Sequence, residues 1–136
     1  MKVHHIGYVV KHIDRAVAEF TALGGGGQVT ETVYDPRRKV NILFLDCAGG
    51  GGQIELIEPT ASDSVAAGLL KKMGASPYHI CYTVSSLEET IGDLRKRHWF
   101  VTAPPESAPA IGNRRVAFLY HAQVGLIEIL EENSHE

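Results

Sequence analysis

The sequence of 136 residues contains only two cysteines, Cys47 and Cys81, and they form no CxxC motif. A disulfide framework and a zinc knuckle are therefore not indicated, and we expect buried, reduced thiols. No stretch reaches the run of about 18 apolar residues that a membrane-spanning helix needs. The N-terminus also lacks the apolar segment of a signal peptide. These absences predict a cytoplasmic protein without a membrane partner.

Positive charge is scarce as well, since 13 lysines and arginines stand against 16 acidic residues and the formal net charge is −3. No basic stripe is available to neutralise phosphates, so a nucleic-acid partner is not expected. The glycine runs at 24–27 and 49–52 lack the Gly-Lys-Ser/Thr ending of a phosphate loop. We interpret both runs as turns.

What the sequence does contain is an internal repeat. The segment HIGYVV that begins at His5 returns as HICYTV at His79, 74 positions later. The segment QIELIE around Glu55 returns as LIEILE around Glu128, 73 positions later. Each half therefore supplies one histidine near the start of a strand and one glutamate in the middle of another.

Periodicity predicts the same element order in both halves: a strand, a helix and about three further strands. The two helices carry equivalent apolar stripes, namely Ile13, Val17 and Phe20 in the first and Leu87, Ile91 and Leu94 in the second. Ser86 and Glu89 form a capping box before the second helix. Between the halves, Val65, Leu69, Leu70 and Met73 predict an amphipathic helix that ends near Gly74.

A four-stranded sheet with one apolar face is not stable alone, so two such modules should pack together. The predicted fold class is α+β, with two βαβββ modules that form a curved, mixed, mostly antiparallel sheet around a metal cleft.

Glu55 and Glu128 each share a strand face with apolar residues, and a buried carboxylate without a partner costs several kcal/mol. Each glutamate taken singly could instead lie on a solvated face or meet an arginine. Their equivalent positions, each matched with a histidine, favour a metal site formed by His5, Glu55, His79 and Glu128. Two imidazoles and two carboxylates suit Zn, Ni, Co, Mn or Fe(II).

Four protein ligands leave open positions in an octahedral field. Two adjacent open positions can chelate a small-molecule substrate with two neighbouring oxygens and polarise its carbonyl. Such an arrangement stabilises the enolate that forms when a proton beside those oxygens is removed.

At residues 3–132 the chain resembles the vicinal oxygen chelate (VOC) superfamily, which includes glyoxalases, epimerases, dioxygenases and bleomycin-resistance proteins. Within it, the strings HIGYVV, IELIEP, YHICY, RVAFL and VGLIE are most similar to the methylmalonyl-CoA epimerase branch. The resemblance implies one domain, made of module 1 (3–59), a linker helix (60–77) and module 2 (78–132). It also implies His5, Glu55, His79 and Glu128 as metal ligands, and a homodimer.

The resemblance implies an isomerase in which Glu55 and Glu128 exchange the proton at the α-carbon of an acyl-CoA thioester. A glyoxalase I-type lyase is the first alternative, and a non-catalytic drug-binding or resistance protein is the second. A ring-cleaving dioxygenase is disfavoured, because those enzymes use three protein ligands and leave the position of Glu55 empty.

The chain departs from the epimerase pattern in two places. Asn41 stands near the place of an acidic residue proposed as a base in some epimerases, and Tyr120-His121-Ala122 replaces an expected His-Pro-Lys. His121 ends a predicted strand, and we expect it to face the cleft.

Overall fold

The computed structural model describes residues 1–24, 27–47 and 51–133. The chain divides into two compact units, residues 5–78 and residues 1–4 with 79–136. The elements, in chain order, are β1 (Lys2–Val9), α1 (Ile13–Ala22), β2 (Val33–Asp35), β3 (Val40–Asp46), β4 (Gln53–Pro59), α2 (Val65–Met73), β5 (Ser76–Val84), α3 (Leu87–Arg95), β6 (Phe100–Ala108), β7 (Arg114–His121) and β8 (Gly125–Glu131). None of the helices in this described part is long and apolar enough to cross a membrane.

The sheet of the unit at residues 5–78 has the strand order β2-β3-β4-β1. The pairing of β1 with β4 is parallel, and the pairings of β2 with β3 and of β3 with β4 are antiparallel. β2 has three residues, and before it Gln28 forms an isolated bridge to Leu45.

The unit that contains residues 79–133 repeats this order as β5-β8-β7-β6. β5 is parallel to β8, whereas β7 is antiparallel to both β8 and β6. The predicted α+β class, the two βαβββ modules and the mostly antiparallel pairing are thus confirmed. Element β6, which the sequence did not locate, contains Pro104 and Pro105 and has register shifts on either side of Ala103.

Helices α1 and α3 each pack their predicted apolar stripe on one face of their own sheet. Ile13, Val17 and Phe20 of α1 pack with Leu43 and Leu56 in a buried cluster. Leu87, Ile91 and Leu94 of α3 pack against an equivalent cluster on the second sheet. Helix formation in both halves is therefore coupled to burial of one stripe, as the 3.6-residue period requires.

Helix α2 covers residues 65–73 of the predicted 60–77 linker and ends before Gly74 as expected, but it buries a different face. Ser64 accepts a hydrogen bond from the backbone N–H of Ala67 at 3.0 Å, and Gly74 ends the helix with a φ of 74°. Val65 and Met73, which we expected in the apolar stripe, are exposed, and the buried residue of this helix is Ala66. Val65 and Met73 are the first and last residues of the helix, so its ends are exposed while Leu69 and Leu70 are half-buried.

A glutamate near the end of β4, and another at the end of β8, caps the helix of its unit. Glu58 accepts a hydrogen bond from the N–H of Ile13 at 2.9 Å, and its repeat mate Glu131 accepts one from Leu87 at 3.2 Å. These N–H groups open α1 and α3, where backbone donors lack partners within the helix and negative charge is favoured. The sequence did not single out this pair, although the repeat contains both residues.

The second cap is extended by an arginine. Arg115 donates to Glu131 at 3.3 Å and also pairs with Glu88 in the first turn of α3. The hydrogen bond from Arg115 holds the pKa of Glu88 below its ordinary value. In addition, Ser86 accepts from the N–H of Glu89, which confirms the predicted capping contact.

We expect Glu58→Ala to lower the free energy of unfolding by about 1–2 kcal/mol, because the first N–H of α1 loses a charged acceptor. Chemical denaturation followed by circular dichroism would measure this difference. Glu19→Ala is the matched control, since Glu19 is exposed on the same helix and should change stability by less than about 0.5 kcal/mol. Equal stability of both variants and the parent would show that the cap contributes nothing.

Candidate metal centre

The unit at residues 5–78 brings together the histidine and glutamate that the sequence assigned to the first half. His5 lies on β1 and Glu55 on β4, and they are 0% and 4% exposed. The parallel register places Glu55 opposite Gly7, so His5 and Glu55 lie two residues out of register on neighbouring strands. Residues two apart on a strand share a face, so the two side chains meet on one side of the sheet. Nε2 of His5 is 3.4 Å from Oε1 of Glu55.

The other unit repeats this pair with its own two residues. His79 lies on β5 and Glu128 on β8, and they are 6% and 4% exposed. Cys81 stands opposite Glu128, as Gly7 stands opposite Glu55. Nε2 of His79 is 3.1 Å from Oε1 of Glu128. The duplication seen in the sequence is therefore a duplication of buried imidazole–carboxylate pairs.

The distances within each pair fit ligands of a common ion. Donor atoms bound at about 2.0–2.2 Å to a tetrahedral or octahedral centre are roughly 2.8–3.6 Å apart. The separations of 3.4 Å for His5–Glu55 and 3.1 Å for His79–Glu128 lie in that range. The first is longer than the usual hydrogen-bond range of about 2.7–3.2 Å. Nitrogen and carboxylate donors without thiolate suit Zn, Ni, Co, Mn or Fe(II).

A phenylalanine lies against each histidine ring. Phe44 is 5.1 Å from the His5 ring, centroid to centroid, with an interplanar angle of 80°. Phe118 is 5.2 Å from the His79 ring at 88°. The two phenylalanines are 74 positions apart, at the same offset as the two histidines.

Asn41 lies on the helix side of its sheet. On β3, Asn41 lies on the same face as Leu43 and Leu45, which pack in the cluster around α1. Phe44 lies on the opposite face. Its amide donates to Glu58 at 3.0 Å and thereby supports the α1 cap. A residue at this position points away from the face that carries Glu55.

The expectation that His121 faces the cleft is wrong. On β7, His121 shares a face with Ala117 and Leu119, which pack against α3, and Phe118 is on the other face. The His121 ring lies 5.0 Å from the Trp99 ring, and its Nδ1 accepts the N–H of Gln123 at 3.0 Å. His121 is three residues after Phe118 on the same strand. Because side chains alternate along a strand, this odd spacing could have indicated that the two residues lie on opposite faces of the sheet.

The remaining histidines lie elsewhere or in less buried positions. His4 is half-buried, and His12 precedes α1 without a side-chain capping bond. His98 has a φ of 69°, in the left-handed region. His135 falls outside the described residues, as do residues 25–26 and 48–50 within or beside the two glycine runs.

A family model for the Glyoxalase/Bleomycin resistance protein/Dioxygenase superfamily matches residues 4–118. The chain belongs to this superfamily, as the two βαβββ modules and their equivalent histidine–glutamate pairs had indicated. It is 31% identical over 97 residues to the mitochondrial methylmalonyl-CoA epimerase of Homo sapiens. That match covers 71% of this chain and 53% of the human protein, so the chain spans about half the length of this relative.

Solved structures of similar proteins agree with the fold. The methylmalonyl-CoA epimerase of Mycobacterium tuberculosis superposes with a TM-score of 0.84 at 24% identity, over 98% of this chain and 89% of that one. A Streptomyces coelicolor methylmalonyl-CoA epimerase variant in complex with 2-nitronate-propionyl-CoA gives a TM-score of 0.82 at 24% identity, over 98% and 99% of the two chains. At this identity the likeness establishes the fold.

Proposed function

We propose that the protein is a divalent-metal-dependent isomerase that epimerises the α-carbon of an acyl-CoA thioester of the methylmalonyl-CoA type. The observation that carries the proposal is the buried imidazole–carboxylate pair, which occurs once in each unit. The human and bovine relatives, which are named as methylmalonyl-CoA epimerases, support the substrate class. A Streptomyces enzyme of the same fold, bound to 2-nitronate-propionyl-CoA, supports it as well.

We propose that His5, Glu55, His79 and Glu128 hold one ion, and that residues 3–132 work as a single domain. Two neutral imidazoles and two carboxylates carry a formal charge of about −2, which a divalent cation neutralises. Without a cation, two buried carboxylates would each need compensation, which is costly in a protein interior. A bound ion would act as a Lewis acid that polarises two neighbouring substrate oxygens.

Glu55 and Glu128 are the proposed proton-transfer residues. A carboxylate has two oxygens, so each glutamate could hold a bound ion through one oxygen and exchange a proton through the other. One glutamate takes the α-proton as the C–H bond breaks and its electron pair enters the enolate. The other glutamate, which has first taken a proton from solvent, donates that proton to the opposite face of the α-carbon, and the configuration is inverted. The histidines, which are not needed for this transfer, hold the site.

The substrate proposal predicts solvent exchange at the α-carbon. In D₂O, cobalt-loaded protein should incorporate deuterium at the α-position of methylmalonyl-CoA and equilibrate the two epimers, as proton NMR would measure. Chelator-treated protein should lose the activity and regain it with Co²⁺. No α-deuterium with metal-loaded protein would eliminate this substrate.

The same sample can be tested for the alternatives. Thioester absorbance formed from methylglyoxal and a thiol would indicate a glyoxalase I-type lyase instead. Absence of tightly held metal would favour a non-catalytic binding protein. The epimerase names of the curated relatives favour neither alternative. The homodimer and the cytoplasmic location expected from the sequence stay predictions.

A further inference from the structure

We propose that Phe44 and Phe118 are positioning residues that orient the two histidine ligands, an inference that rests on the proposed metal site. Phe44 is 2% exposed and Phe118 is 8% exposed, so both rings belong to the buried surroundings of the histidines. Their ring centroids lie 5.1 and 5.2 Å from those of His5 and His79. Each contact lies within one unit of the chain.

The strand register makes each phenylalanine a neighbour of the glutamate as well. Phe44 stands directly opposite Glu55 in the antiparallel pairing of β3 with β4. Phe118 stands directly opposite Glu128 in the pairing of β7 with β8. Directly opposite residues have side chains on the same face at about 4.5–5.5 Å between Cβ atoms. One phenylalanine per unit therefore adjoins both members of a ligand pair.

The physical need for such a neighbour comes from the histidine side chain itself. The second side-chain torsion of histidine is broad and roughly two-fold, so the backbone alone does not fix the plane of the imidazole. A ring held nearly perpendicular to the imidazole, at 80° and 88° here, disfavours rotation about that torsion. The direction in which Nε2 of His5 or His79 points is thereby set before an ion arrives.

The repeat shows that the arrangement is not a single accident of packing. Phe44 and Phe118 are 74 positions apart, the same offset that separates His5 from His79. The interplanar angles of the two phenylalanine–histidine contacts are 80° and 88°, and the centroid distances are 5.1 and 5.2 Å. Both apolar rings also restrict water near the ligands, which strengthens electrostatic interactions there.

The test compares Phe44→Leu and Phe118→Leu with Phe20→Leu. Phe20 makes an edge contact with Tyr8 at 5.2 Å and 82° on the helix side of the sheet, so it loses the same kind of contact without touching a proposed ligand. Co²⁺ affinity would be measured by competition with a chromophoric chelator. The visible absorption of bound Co²⁺ would report the coordination geometry, and thermal unfolding would report stability.

We expect Phe44→Leu and Phe118→Leu each to bind Co²⁺ roughly tenfold more weakly and to shift its absorption bands, as loss of residues that orient ligands does. Phe20→Leu should lower stability and leave affinity and spectrum unchanged. Phe44→Tyr and Phe118→Tyr, which retain the rings, should restore affinity to near the parent value. Should either leucine variant fail to fold, the other and the tyrosine pair still decide the matter.

Parent-like Co²⁺ affinity and spectrum in the leucine variants would overturn the positioning role. That result is distinct from failure of the proposed function, in which the parent protein itself would bind no Co²⁺ or exchange no α-proton.

Discussion

Replacing His79 with alanine is expected to weaken divalent-metal binding by about 10²–10³-fold. Four-ligand sites supply about 10–16 kcal/mol of apparent binding free energy. One ligand of four thus corresponds to roughly 2.5–4 kcal/mol, and each 1.4 kcal/mol is tenfold. His79 is 6% exposed and its Nε2 lies 3.1 Å from Oε1 of Glu128, so the substitution removes a buried imidazole beside that carboxylate. Elemental analysis and Co²⁺ titration of the purified variant would measure the loss.

His121→Ala is the matched control for this experiment. It makes the same substitution in the same unit, on the sheet face that packs against α3. The control should bind metal as the parent does. If His79→Ala also retained full metal content, residue 79 could not be a ligand, and the proposed site would have to be abandoned.

The second large effect is expected from Glu128→Gln and Glu55→Gln. Glutamine keeps the shape of the side chain and an oxygen for the ion, but it cannot accept the α-proton. A general base contributes about 10²–10⁴-fold to rate. We therefore expect net epimerisation to fall by about 10²–10⁴-fold in each variant, with a smaller loss of metal affinity. Stereochemically pure substrates and isotope exchange in D₂O would measure both steps.

The two variants should differ in which epimer still exchanges. With Glu128 replaced, Glu55 can remove a proton from one face and return a deuteron to the same face, so one epimer exchanges without inversion. Glu55→Gln should show the opposite preference. Loss of exchange for the same epimer in both variants would contradict a two-base mechanism. Inversion at the parental rate in both variants would show that neither glutamate transfers the proton, and only a metal-binding role would remain for them.

The repeat made most of the fold predictable. Two histidines and two glutamates at matching offsets indicated two strand pairs, and each predicted pair is buried together in the structure. This works because a strand position and its partner are set by backbone register, which duplicated sequences share. That the two pairs share one ion is a proposal, and the His79 and glutamate variants test it.

What the sequence did not predict has local causes. β6 contains two prolines and irregular register, so it lacks the alternating pattern that identifies a strand. The placement of His121 and Asn41 depends on which face of a strand is covered by a helix. That face is decided by the neighbours Leu119 and Leu43, which pack against α3 and α1. Counting alternate positions from those leucines would have given the correct side.

The spacing of the two glutamates within β4 and β8 has a consequence for how this chain tolerates insertions and deletions. The two glutamates of each strand are three residues apart, and their side chains therefore lie on opposite faces of the sheet. The pairs are Glu55 with Glu58 on β4 and Glu128 with Glu131 on β8. The repeat offset changes from 74 to 73 before the last strand, so a length difference in the preceding turn shifted Glu128 and Glu131 together. A gain or loss of one residue between the two glutamates would instead put one of them on the wrong side. We expect insertions and deletions among related sequences to be common in that turn and rare within residues 55–58 and 128–131.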